Sequence, residues 1–258
     1  MISLDQIASQ YPEHLRGFKE SILKEYLQYK ILSSIFNSDF GFKLVFLGGT
    51  ALRIVYGGKR FSEDLDFDNL GLSEAEFLEL GHQIQRDLLL EGLEVEIKMV
   101  TRRAYRIKIR IPKLLYESGL SPLVDQKILI QVDTAPQHFD YVPEKPILNK
   151  FDVFTQIFAV PKGLLLAQKM YAAVNRKRPM GRDFFDIVFL YGMGAEPNFD
   201  YLQKNLGVQN KADLKAFLLE KTSSFDFEQL AKDVEPFLFD PKDSNKVLLF
   251  KEFVESLA

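Results

Sequence analysis

The chain contains no cysteine and only three histidines, His14, His82 and His138, in 258 residues. Without thiols there is no disulfide framework, no thiolate zinc site and no cysteine nucleophile. With so few imidazoles a histidine-built metal centre is not expected, so a catalytic metal would be a hard cation held by Asp and Glu oxygens. No stretch approaches the roughly 18 apolar residues that a bilayer-spanning helix needs. The opening Met1-Ile2-Ser3-Leu4-Asp5 lacks the basic and apolar regions of a secretory signal. A cytoplasmic location is the expectation. Excess positive charge is missing as well: the formal net charge is −3. That argues against coating nucleic acid through bulk charge and leaves room for a local basic groove.

What is present is an ordinary globular balance, 47% hydrophobic and 27% charged, enough for one large domain or a catalytic domain with a smaller companion. Apolar spacing predicts a helix from Pro12 to about residue 37, a strand over 43–47 and a brief helix over Thr50–Tyr56 ended by Gly57-Gly58. A second strand is expected over 62–67, with Leu65 and Phe67 on one side and Asp64 and Asp66 on the other. The capping box Ser73-x-x-Glu76 opens a helix to about Gly92. Strands follow at 94–100 and 105–111, an antiparallel pair, and at 127–133. After Tyr141–Pro146 the pattern turns helical, with helices expected at 161–174, 182–191, 201–206, 211–221, 227–237 and 246–257. The expected organisation is an α+β core over residues 1–150, a small mixed sheet with helices on one side, and a mostly helical part over 151–258.

The chemistry concentrates in Leu47-Gly48-Gly49-Thr50-Ala51-Leu52 and in Arg60-Phe61-Ser62-Glu63-Asp64-Leu65-Asp66-Phe67. Two glycines after a strand let backbone N–H groups approach an anion, and a helix start adds partial positive charge. Asp64 and Asp66, two apart on a strand, present both carboxylates to one side. Such anions repel unless a cation lies between them, and Mg²⁺, which completes its shell with substrate phosphates, is the natural occupant; Mn²⁺ is an alternative. Asp133, opposite in parity to Val132 at the end of its strand, is the candidate third acid of a two-metal arrangement. Its bland alternative is a strand-end cap beside Thr134.

Both stretches resemble the AbiEii/AbiGii toxin family, nucleotidyltransferase-like toxins of type IV toxin–antitoxin and phage-defence systems with a DNA-polymerase-β-like core. A second family signature appears as Leu166-Ala167-Gln168-Lys169-Met170-Tyr171-Ala172-Ala173, then Arg176, then Arg182-Asp183-Phe184-Phe185-Asp186. The resemblance implies triphosphate contacts at Gly48, Gly49 and Thr50, with Ser62 beside them, and metal ligation by Asp64 and Asp66. It also implies a phosphate or nucleotide contact by Lys169 and a further active-site acid at Asp183 or Asp186. It implies nucleotide transfer from an NTP to an acceptor, in some relatives the 3′ end of tRNA, and a cognate antitoxin encoded nearby. Members often carry Glu where this chain has Leu165 and Gln168, so no acid role extends to those positions.

Physical readings of the second signature compete with functional ones. Lys169, Ala173 and Arg176 share a helix face, from which the two cations reach toward an anionic substrate; Arg182 and Asp186, at i and i+4, are spaced to pair instead. For Asp183 and Asp186 the alternative to catalysis is salt bridging to Arg182 or Arg178. Arg106, Lys108 and Arg110 share one strand face and, with Arg102 and Arg103, form a basic stripe suited to a phosphate backbone, which Lys177 and Arg178 extend. Equally, those charges answer Glu94 and Glu96 across the strand pair. Three functions are compatible with these residues: transfer to RNA, transfer to a small molecule, and NTP binding without transfer.

Overall fold

The computed structural model describes residues 2–102 and 104–257. Two compact units emerge, Met1–Ala51 with Ser62–Ala159, and Leu52–Phe61 with Val160–Ala258. The first unit extends past the division expected at 150 because a hairpin closes on it: β6 (Ile147–Lys150) pairs antiparallel with β7 (Val153–Gln156). The backbone then returns to the sheet through Phe46 N–H donating to the Phe158 carbonyl at 2.8 Å.

The first unit opens with α1 (Leu4–Ser9), capped by a Ser3/Gln6 box. The long N-terminal helix, α2, spans Lys19–Phe36 rather than starting at Pro12. A 3₁₀ turn over Glu13–Leu15 comes first, and Gly17, a poor helix former, separates the two. Then follow β1 (Leu44–Leu47), α3 (Gly48–Tyr56), β2 (Leu65–Asn69), α4 (Glu74–Leu90), β3 (Glu96–Val100), β4 (Tyr105–Ile111), the single-turn α5 (Leu114–Glu117) and β5 (Ile128–Ala135). The Ser73/Glu76 capping box forms as the sequence indicates.

These strands form a five-stranded sheet in the order β1-β2-β5-β4-β3. Only β2 and β5 run parallel; the other neighbours are antiparallel. Alternation sorts the side chains. Leu65, Phe67, Ile107, Ile109, Ile130 and Val132 are almost wholly buried, each contributing roughly 1.5–3 kcal/mol by leaving water. Helices α2 and α4 cover that face: the Phe36 ring lies 6.1 Å from Phe67, and Gly81 of α4 sits so near Met99 that a Cβ there would fall 2.3 Å from its sulfur. The opposite side chains, among them Asp66, Arg106, Lys108, Gln131 and Asp133, are half-buried or exposed.

The second unit is helical: α6 (Lys162–Asn175), α7 (Gly181–Gly192), α8 (Phe199–Leu206), α9 (Lys211–Lys221), α10 (Phe227–Val234), α11 (Asn245–Leu248) and α12 (Phe250–Glu255). The helix expected over 227–237 stops at Val234 and tightens to 3₁₀ around Pro236, which has no N–H for an α-type bond. The helix expected over 246–257 is broken into α11 and α12. Residues 52–61 join this unit because Phe61 N–H donates to the Phe237 carbonyl at 2.9 Å and Phe239 N–H to the Lys59 carbonyl at 3.1 Å. Aromatic packing fills the interior, with Phe184 edge-on to Phe227 at 5.2 Å and to Phe250 at 4.9 Å. No helix among the described residues is long and apolar enough to cross a membrane.

Candidate active site

Strand β2 begins at Leu65, so Ser62, Glu63 and Asp64 form a loop rather than the strand start expected from sequence. The reason lies in where their carbonyls go. Gln28 of α2, 1% exposed, donates through Nε2 to the carbonyls of Ser62 and Glu63, each at 2.9 Å. The Thr50 hydroxyl donates to the carbonyl of Asp64. Captured by side chains, these groups are not free for a ladder. Lys24 adds an ion pair to Glu63 at 2.9 Å. The loop is thereby fixed, and the Asp64 carboxylate accepts from Gln131 Nε2 of β5 at 3.4 Å. Thr50 is wholly buried, so its side chain ties the start of α3 to Asp64 rather than facing a ligand.

Asp66 lies opposite Asp133 on the parallel neighbour β5, and Asp133 lies opposite Arg106 on β4. Residues so paired share a face, so these three side chains and Gln131 line one side of the sheet. Gly48 adopts φ +82°, a left-handed conformation that glycine accepts without strain. It also abuts the cluster: a Cβ at Gly48 would fall 2.6 Å from Asp66 Oδ2. Position 48 therefore excludes a side chain on two counts. The next β2 residue in the alternation, Asp68, is buried and accepts from Gln137 N–H and Tyr141 O–H, both at 2.8 Å. Burial, reinforced by Asp68, pushes the Tyr141 phenol far up, which suits a structural pair.

Hard oxygen donors suit a divalent cation such as Mg²⁺, which needs only one or two carboxylates when phosphates and water supply the rest. Asp133, however, is diverted. Arg106 forks onto both its oxygens, Nε to Oδ1 and Nη2 to Oδ2, the latter at 3.0 Å. Among the described residues, no group of three or more His, Asp or Glu side chains converges closely enough to hold a metal ion. The donor chemistry fits; the third ligand is held by an arginine. The hydrogen bonds that Arg106 donates to Asp133 and the charge of that carboxylate, with smaller contributions from Asp64 and Asp66, raise the Arg106 guanidinium above its ordinary value.

In the second unit, Lys169, Asp183 and Asp186 meet in a buried ion-pair chain. Arg60 donates Nε to Asp186 Oδ1 at 2.8 Å and Nη2 to Oδ2 at 2.6 Å. Lys169 Nζ lies 2.7 Å from Asp186 Oδ2 and 3.1 Å from Asp183 Oδ1, and Arg176 Nε lies 2.7 Å from Asp183 Oδ2. Both aspartates are fully buried and Lys169 is 7% exposed. Burial alone would push the Asp186 carboxyl up, but Arg60 and then Lys169 outweigh it and hold it below the ordinary Asp range. Asp186 pairs with Arg60 and Lys169 rather than with Arg182. Arg178 bonds instead to Asp233 at 3.3 Å.

The basic stripe is also clarified. Glu94 is taken by Lys113 and Glu96 by Lys127, each at 2.6 Å, so neither neutralises β4. Lys98, Lys108 and Arg110 form no ion pair among the described residues, and Lys98 sits directly opposite Lys108 in register. Arg102 is exposed on the β3–β4 turn; Arg103 lies outside the described residues. Sequence reasoning missed Gln28, Gln131 and Arg60, and it read Arg106 only as part of the stripe. No local motif marks the first two. The register of β4 against β5 is the signal that pairs Arg106 with Asp133.

The family model described as nucleotidyl transferase AbiEii toxin, type IV TA system, matches residues 30–252. The crystal structure of JHP933 from Helicobacter pylori superposes with a TM-score of 0.54 at 18% identity, covering 91% of this chain and 91% of that one. A second H. pylori structure, of a candidate nucleotidyltransferase, gives a TM-score of 0.54 at 18% identity over 91% of this chain and 94% of the other. No match is found among curated proteins. These likenesses bear out the α+β fold with a DNA-polymerase-β-like core. With its diglycine turn, paired aspartates and buried Lys–Asp network all inside the matched span, the chain belongs to the AbiEii family of type IV nucleotidyltransferase toxins.

Proposed function

We propose that the protein transfers a nucleotide from an NTP to an RNA acceptor in a Mg²⁺-dependent reaction, with tRNA 3′ ends as the leading candidate. One observation carries this reading: the carboxylates of Asp66 and Asp133 share a sheet face with Lys98, Lys108 and Arg110, cations that form no ion pair among the described residues. Like charges directly opposite on adjacent strands are destabilising. Lys98 facing Lys108 is thus a cost that binding a polyanion offsets.

In this reading the N–H groups at Gly48 and Gly49 receive the triphosphate, aided by the start of α3. Asp64 and Asp66 hold the cation, which when bound supplies charge neutralisation on the triphosphate and a more acidic acceptor hydroxyl. The acceptor hydroxyl gives its proton to solvent as its oxygen bonds to the α-phosphorus and the bond to pyrophosphate breaks, and Lys108 and Arg110 hold the acceptor backbone. Thr50, Gln28 and Gln131 act by positioning Asp64. Lys169, Asp183 and Asp186, saturated by one another and by Arg60 and Arg176, act by holding α6, α7 and the 57–61 segment together. A cognate antitoxin encoded nearby completes the system.

The test is incubation of purified protein with total RNA, Mg²⁺ and each labelled NTP. Labelled RNA is expected, abolished by Asp66→Asn and weakened by the double Lys108→Ala, Arg110→Ala variant. Label that appears only on small molecules, or no transfer with any NTP, would overturn the acceptor assignment or the activity.

A further inference from the structure

We propose that Arg106 is an internal counter-ion that competes with the divalent cation for Asp133, and that metal arrival releases its guanidinium to an incoming phosphate. This rests on the metal reading of Asp64 and Asp66 given above. Both oxygens of Asp133 are engaged by one planar fork, Nε to Oδ1 and Nη2 to Oδ2. A carboxylate held this way has its lone pairs directed at the guanidinium and enters a metal's inner shell only by giving up that partner. Register makes the rivalry local: Asp133 stands between Arg106 on one neighbour and Asp66 on the other. A cation held by both Asp66 and Asp133 would therefore have to draw Asp133 away from Arg106.

Exposure decides that this pair opens whereas the other arginine–aspartate fork among the described residues, Arg60 with Asp186, does not. Arg106 and Asp133 are 46% and 26% exposed, against 2% and 0% for Arg60 and Asp186. The interior pair has no route to water for either partner, and breaking it strands a buried charge. The sheet-face pair is solvated, and such pairs are cheap to separate. Its guanidinium is also the first cation of the row that continues through Lys108 and Arg110. Once displaced, it stays on the same face with its donors unsatisfied, suited to bidentate phosphate recognition.

The test is Mn²⁺ binding to the full chain without nucleotide, followed by the free-ion EPR signal and by calorimetry. Arg106→Ala and the shape-conserving Arg106→Gln are each expected to bind Mn²⁺ about tenfold more tightly, on the order of 1.4 kcal/mol. Asp133→Asn is expected to bind less tightly than the parent, and adding Arg106→Ala to it to bring no gain. In saturating Mn²⁺ the affinity for pyrophosphate should fall several-fold in both Arg106 variants. Thus metal and phosphate affinities move in opposite directions, which a merely structural arginine would not produce. Unchanged or weaker Mn²⁺ binding by both variants overturns the competition. So does a gain that persists in the Asp133→Asn background, since that reports bulk charge alone. Undiminished pyrophosphate affinity overturns the release. Absence of Mn²⁺ binding by the parent protein overturns the metal reading itself, and this inference with it.

Discussion

Replacing Arg60 by Met tests the buried ion-pair chain most directly. Methionine fills much of the same volume and removes the charge and the donors. Three hydrogen bonds disappear: 2.8 and 2.6 Å to the two oxygens of Asp186, and 3.0 Å from Nη1 to the Phe61 carbonyl. Asp186 then keeps Lys169 alone, which it shares with Asp183. Removing one partner of a buried pair costs about 3–5 kcal/mol, which at about 2 °C per kcal/mol for a chain of this size lowers Tm by about 6–10 °C. Urea and thermal denaturation followed by circular dichroism measure both. The acid limb supplies an independent check. Asp186 is held below its unfolded value, so its contribution is complete above about pH 4 and is lost as pH falls through the folded value. Without Arg60 the burial penalty is less opposed, the folded value rises, and acid destabilisation begins at a higher pH. A loss under about 1 kcal/mol with an unchanged acid limb would refute the reasoning. The control is Arg178→Met at the exposed pair with Asp233, expected to leave Tm unmoved.

Gly48→Ala is expected to cost about 1–2 kcal/mol through its positive φ and to displace the Asp66 carboxylate that its Cβ would meet at 2.6 Å. Displacement on that scale lowers transfer by about 100-fold, measured by single-turnover labelling; activity within a few-fold of the parent would contradict the close approach. Gly181→Ala would set a Cβ 1.9 Å from the Leu230 carbonyl oxygen, so α7 and α10 must separate, at about 1–3 kcal/mol by urea denaturation. For the paired Lys108→Ala, Arg110→Ala variant, RNA affinity should fall and the slope of log K against log salt should flatten by about one to two. An unchanged slope places the RNA elsewhere.

Much was legible along the chain because it depends on local rules. The alternation of Leu65 and Phe67 with Asp66 gave the two faces of β2, the isoleucines of β4 and β5 gave their core side, and Ser73 with Glu76 marked the start of α4. The diglycine and the paired aspartates were visible as a motif, as was the Lys–Asp signature of α6 and α7. Where the structure departs from the local pattern, the competing interaction comes from far along the chain. Ser62–Asp64 has strand-like spacing, yet Gln28, some 35 residues earlier, captures two of its carbonyls.

Pairing across the sheet and between helices has no local signature, and it is there that each charged group finds its partner. Lys169 looks like a substrate cation in its helix, and it is the packing of α6 on α7 that turns it onto Asp183 and Asp186. Arg60 reads as a neighbour of the motif until the pairing of residues 59–61 with 237–239 brings it to Asp186. Side-chain type and spacing dictate which groups are available and which face they take, because backbone geometry repeats every two or 3.6 residues. Which cation neutralises which carboxylate is a question of long-range register, and there a side-chain exposure of 46% against 2% separates an arginine free to exchange from one that is locked.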